Sequence, residues 1–86
     1  MAAVQDFNGA MSRALVDFMR EHGVTQVQVA DALDRSQSYV SGRLTGVHDL
    51  SVDIIAAVAG LARMSARSLW MELLARSTTG QGSSER

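Results

Sequence analysis

Residues 25–46 read TQVQVADALDRSQSYVSGRLTG, and their reading decides the fold. Thr25 and Gln28 have the S/T-x-x-E/Q spacing of a capping box, which satisfies two backbone N–H groups at the start of a helix. Val24 and Val29 flank it as a hydrophobic staple. Val29, Ala30 and Leu33 make an inward face, with Ala30 small enough for two helices to cross closely. Asp34–Arg35 is a turn, Ser36 is a second N-cap, and Val40 and Leu44 lie one helical repeat apart. Gly46 stops this second helix. Its outward side carries Gln37, Ser38 and Ser41, all hydrogen-bonding groups. Two short helices, a tight turn and a polar second helix describe a helix-turn-helix. A helix is the right width for the DNA major groove, about 12 Å across. The expectation is a sequence-specific DNA-binding protein and not an enzyme.

Working outward, Met11, Leu15, Phe18 and Met19 form one apolar stripe, which predicts a helix over 8–22. Gly23 ends it as a residue at ease in the left-handed region. Val47 and Leu50 are expected to tuck under the domain. Ser51 caps a fourth helix, with Ile54, Ile55, Val58, Leu61 and Ala62 on its inner side. Ser65 caps a fifth, which carries Leu69, Trp70, Leu73 and Leu74 and ends near Arg76. Residues 1–7 lack periodicity and read as a flexible arm. The stretch STTGQGSSER over 77–86 reads as a disordered polar tail. The single domain is therefore 8–76.

Eighty-six residues make one small domain, which buries roughly 60–65% of its unfolded surface. An apolar content of 47% argues against wholesale disorder. Without cysteine there is no disulfide framework and no thiolate metal site. No apolar run approaches the ~20 residues of a membrane span and no signal peptide opens the chain, so the expected location is the cytoplasm. All eight basic residues are Arg, and the net charge is −1. So neutral a chain does not hold DNA by bulk attraction; it must concentrate its positive groups on one face or bind as a dimer.

Gln26, Val29–Ala30, Leu33, Gln37–Ser38, Val40, Leu44 and Gly46–Val47 carry a family pattern. Over about residues 10–75 the chain resembles the lambda-repressor-like helix-turn-helix regulators, the repressor and Cro group of phages and bacteria. The resemblance implies a compact five-helix all-α bundle. It also implies that Gln26 anchors a phosphate and packs on Gln37, and that Gln37 reads a base edge by pairing N6 and N7 of adenine. Ser38 and Ser41 then face the groove, and Thr45 hydrogen-bonds a phosphate. Asp34 departs from the pattern, standing where the family usually has the turn Gly; Asp tolerates the left-handed region better than most residues. Arg43 stands where an apolar or aromatic residue is common, and its stem can pack while its guanidinium reaches the backbone.

Other positions have two readings each. Tyr39 is a base reader or a ring half-packed on the domain. Arg35 and Arg43 are phosphate contacts or surface charges, and His48 is a phosphate neighbour or a solvated loop residue. Gly42 weakens the helix by roughly 1 kcal/mol relative to Ala, or permits close approach to DNA. His22 and His48 are too isolated for a metal site, and no nucleophile turn or phosphate loop organises Ser, His and Asp. No cofactor or small-molecule ligand is expected. Leu69 and Leu73 can serve the core. Trp70 and Leu74 lie about 100° further round the helix, and a dimer surface over Trp70, Leu73 and Leu74 is expected. The partners are then duplex DNA with a palindromic operator and a second copy of the chain, in a phage or prophage repressor or Cro-like protein. An antitoxin that binds its operon and a toxin, and a protein-interaction module on the same fold, are the alternatives.

Overall fold

Apolar side chains at helical spacing, in segments separated by caps and turns, produce five helices among the described residues. The computed structural model describes the backbone from Ala2 to Ser84 and the side chains of residues 7–77. Helix α1 spans Ala2–His22, α2 Gln26–Leu33, α3 Gln37–Leu44, α4 Val52–Leu61 and α5 Ala66–Ser84. No strand occurs among the described residues, so the chain is all-α as expected. No single helix among them is long and apolar enough to cross a membrane.

Helix α1 packs on α5 and α3, α2 on α3 and α4, and α4 on α5. The shared core holds Met11, Leu15 and Phe18 of α1, Val29 of α2, Val40 and Leu44 of α3, Ile54 and Val58 of α4, and Leu69 and Leu73 of α5. Each such side chain contributes roughly 1.5–3 kcal/mol on leaving water. Helices α2 and α3 have only eight residues each. Isolated helices of that length are marginal in water, so packing and capping hold them.

The terminal signals act as read. The Thr25–Gln28 capping box is complete, Ser36 Oγ accepts from Tyr39 N–H at 3.1 Å, and Ser65 Oγ accepts from Ser68 N–H at 3.0 Å. Gly23 adopts φ +69°. Val24 N–H and Gly23 N–H then close the end of α1 by donating to the carbonyls of Met19 and Arg20. The same pair of bonds closes α2 at Asp34 and α4 at Arg63, both left-handed without being glycine.

Five expectations change. The helices run further than their apolar stripes: α1 begins at Ala2 and α5 continues to Ser84. Neither end contains proline, and adding residues to an existing helix is far easier than nucleating one. The expected arm and tail fall mostly on residues 1–6 and 78–86, whose side chains lie outside the described set. Ser51 occupies the N-cap of α4 without a side-chain capping bond; its hydroxyl donates to Asp53. Val47 does not tuck under the domain but is 74% exposed, since the left-handed Gly46 turns the chain outward before it. On α4 Leu61 is exposed and Ala59 takes the core position. Finally, Leu73 is fully buried beside Leu69, so it belongs to the core of one chain and is not free to face a second. The outer edge of α5 is Trp70, Met71 and half-buried Leu74, with Trp70 40% and Met71 59% exposed.

Arg76 fastens this helix to α1. Its guanidinium donates to both carboxylate oxygens of Glu21, at 2.7 and 3.0 Å, and to Glu72 at 2.8 Å. It also lies 5.5 Å from the centre of the Phe18 ring. The hydrogen bond from Arg76 holds the Glu21 carboxyl below its ordinary range against the effect of desolvation.

Candidate nucleic-acid interface

The polar surface is assembled by the ends of two helices. In the capping box Gln28 Oε1 accepts from Thr25 N–H at 2.9 Å. This commits Gln28 to the helix and leaves Gln26, on the first turn, exposed. Asp34 at φ 55° turns the chain, and Arg35 N–H donates back to Ala30 at 3.0 Å. Helix α3 then sends Val40 and Leu44 into the core. The buried Ser12 hydroxyl of α1 reinforces it, donating to the Arg43 carbonyl at 3.1 Å. With the apolar side fixed, Gln37 and Ser38 stand in solvent and Ser41 is half-buried.

Gln26, Gln37, Ser38, Ser41, Gly42, Thr45 and Val47 line one open depression of about 430 Å³. Six of them are residues singled out from the sequence; Val47 is the addition. Its exposure depends on the turn at Gly46, which no local pattern in the apolar residues reveals. Within this surface the Thr45 hydroxyl already donates to the Ser41 carbonyl at 2.9 Å, so it has to rotate before it can donate elsewhere. Gly42 leaves room for a neighbour: the Cδ2 of His48 sits 3.0 Å from where a Cβ would stand. His48 N–H donates to the Gly42 carbonyl at 3.0 Å. The missing side chain at Gly42 therefore seats the His48 ring.

Tyr39, Arg35 and Arg43 form a second cluster, none of them lining the depression. The Tyr39 ring is half-buried and its hydroxyl donates to Asp53 Oδ2 at 2.8 Å. The guanidinium carbons of Arg35 and Arg43 lie 4.4 and 4.0 Å from the ring centre. Of the two readings for Tyr39, packing against the domain is the one observed.

Asp53 was not among the residues singled out. Its Oδ1 accepts from the Ser51 hydroxyl and from Ile54 N–H. The Ser51 bond does most to lower the Asp53 pKa from its ordinary value. Desolvation opposes this, and the Tyr39 hydroxyl, Ile54 N–H and the Arg35 charge add to it. Neither Arg35 nor Arg43 lies within ion-pair distance of a carboxylate among the described residues, and the buried Nε of Arg43 has no hydrogen-bond partner.

No family model, curated protein or solved structure matches this chain.

Proposed function

We propose that the chain is a sequence-specific double-stranded DNA-binding transcriptional regulator of the lambda-repressor-like kind, with α2 and α3 as its helix-turn-helix. The observation that carries this reading is the convergence of Gln26, Gln37, Ser38, Ser41 and Thr45 on one open surface, with two unpaired arginines on the same short helical unit. An exposed glutamine amide offers both a donor and an acceptor, the pairing that adenine presents in the major groove. Val47 adds an apolar side chain of the type that packs on a thymine methyl. Arg35 and Arg43 are positive groups suited to phosphates, which position a protein on the duplex without specifying sequence.

A second copy of the chain completes the reading. The edge formed by Trp70, Met71 and Leu74 is apolar and partly open. A weak twofold dimer through residues 66–76 spaces two recognition helices about 34 Å apart and demands a palindromic operator. The protein acts as a repressor or a Cro-like factor without chemistry of its own.

Selection of bound genomic fragments, followed by gel shift, tests the reading. Gln37→Ala should weaken operator binding by about 1–3 kcal/mol per half-site and relax preference at one base pair. Gln26→Ala should weaken all duplexes evenly. A Gln37→Ala protein with unchanged preference sinks the assignment of α3 as the reading helix.

A further inference from the structure

We infer that Tyr39 is a positioning residue, its ring a platform that holds Arg35 and Arg43 together as a two-guanidinium grip for the phosphodiester backbone of duplex DNA. The inference rests on the DNA-binding reading above and assigns that reading's electrostatic contact to one built cluster. Tyr39 and Arg43 are four apart on α3 and so are neighbours on one face of it, while Arg35 reaches the same ring from the turn before the N-cap. Both guanidinium groups are within cation–π distance of the same ring, at 4.4 and 4.0 Å. Arginine does not lose its proton in a protein, so two positive charges are held against one ring.

Nothing among the described residues neutralises them by pairing. The carboxylate nearest in the network, Asp53, is occupied by the Ser51 hydroxyl, the Tyr39 hydroxyl and Ile54 N–H. It therefore fixes the ring without capturing the arginines. Phosphate oxygens match the fork of donors that each guanidinium presents beside the ring. Arg76 shows the contrast: the same group beside an aromatic ring, but saturated by Glu21 and Glu72. Tyr39 itself is withdrawn from base reading, because its hydroxyl is donated to Asp53 and its ring is the seat of two side chains.

The test measures binding of the full chain to a labelled mixed-sequence duplex by anisotropy across a salt series, with circular dichroism to confirm folding. Replacing both arginines, Arg35→Gln with Arg43→Gln, should reduce the log–log salt slope by about 1.8 per subunit, 0.9 for each charge. Tyr39→Leu removes the platform and should lower affinity about tenfold for every duplex, because both side chains must then be ordered on binding. Tyr39→Phe keeps the ring but gives up its bond to Asp53, so it should retain the wild-type slope and lose less affinity than Tyr39→Leu. Tyr39→Phe and the arginine replacement keep the ring in place, so they decide the matter even if Tyr39→Leu fails to fold. An unchanged slope in the arginine variant overturns the grip and leaves DNA binding standing. A Tyr39→Phe protein that differs from wild type in its preference among duplexes varied at single base pairs, titrated in the same way, makes Tyr39 a base reader and overturns the platform. A wild-type chain that binds no duplex overturns both, including one that takes inorganic phosphate at Tyr39 by NMR.

Discussion

Helices α3 and α5 each bury one edge in the same core and leave the other outside, but they use charge in opposite ways. On α5, Arg76 is consumed within the molecule by Glu21 and Glu72, and the exposed side carries an apolar group of Trp70, Met71 and part of Leu74, with Arg67 one turn before it. On the α3 side, Arg35 and Arg43 are unpaired among the described residues and what remains outside is amide and hydroxyl with Val47 beside them. A surface whose centre is Trp70 and Met71, with Arg67 at its edge, suits another protein surface, which favours apolar groups and little charge at its centre. A surface with uncommitted guanidinium groups and free amides suits a polyanion. On the proposed reading, a chain with net charge −1 meets DNA by local rather than bulk attraction.

The largest expected effect separates the two edges of α5. Leu73→Ala should cost about 2–5 kcal/mol of stability in urea unfolding, as truncation of a fully buried leucine does. Trp70→Ala should change monomer stability far less while weakening self-association in sedimentation and cooperative operator binding. Were Trp70→Ala as damaging to the monomer as Leu73→Ala, the outer edge of α5 would belong to the core. The contrast with α3 would then be lost.

The parts of this contrast that were legible in sequence are the local ones. Thr25 with Gln28, Ser36 with Tyr39 N–H, Ser65 with Ser68 N–H and the left-handed Gly23 each act within a few residues. A short window contains the whole of their physics. Gln37, Ser38, Ser41 and Thr45 share one surface because helical spacing places them there, and Gln26 joins them through the packing of α2 on α3. The roles of Tyr39 and Arg76 were not legible. Tyr39 meets Asp53 fourteen residues away, and Arg76 meets Glu21 fifty-five residues away. Such pairings are set by how whole helices cross. Ser51 is a local exception: its hydroxyl donates to Asp53 two residues on instead of accepting from the first turn of α4. Leu73 was assigned to both core and surface because a stripe of leucines says which residues are apolar, not which edge another helix covers.

A smaller effect comes with acid, and it probes both helices through their carboxylates. Glu21 and Asp53 both have pKa values below the ordinary 4.5 and 3.8. Each therefore binds its proton less readily folded than unfolded, so unfolding takes up protons in acid. Their contributions are present above the unfolded values and are lost as pH falls through the lowered, folded ones. Stability measured by urea should decline below about pH 4.5. Glu21→Gln should flatten the upper part of that decline and Asp53→Asn the lower part. If Asp53→Asn leaves the curve unchanged, the carboxylate does not hold Tyr39 as described. If Glu21→Gln does, the link from α1 to α5 is screened by water.

The smallest effects lie at the turns that lead into the two helices. Asp34 precedes α3 and Arg63 precedes α5, and both adopt the left-handed conformation, at φ 55° and 63°. An ordinary side chain there costs about 1–2 kcal/mol, and Asp less because its short polar group suits the region. Glycine removes that strain but gives the unfolded chain more freedom, which returns about 0.4–1 kcal/mol. Arg63→Gly should thus gain roughly 0.5–1 kcal/mol of stability, and Asp34→Gly close to nothing. Affinity for DNA should respond in the reverse order. Asp34 places a carboxylate next to Arg35, so Asp34→Gly should tighten binding to every duplex, most at low salt where its repulsion of phosphates is least screened. Arg63 lines no part of the polar surface, so Arg63→Gly should leave affinity nearly unchanged while the protein melts higher. If both variants shift affinity alike, or Arg63→Gly alone does, then the positive field that meets DNA is spread over the molecule. In that case it is not concentrated on the α3 side, and the distinction between the two helices fails where it is easiest to measure.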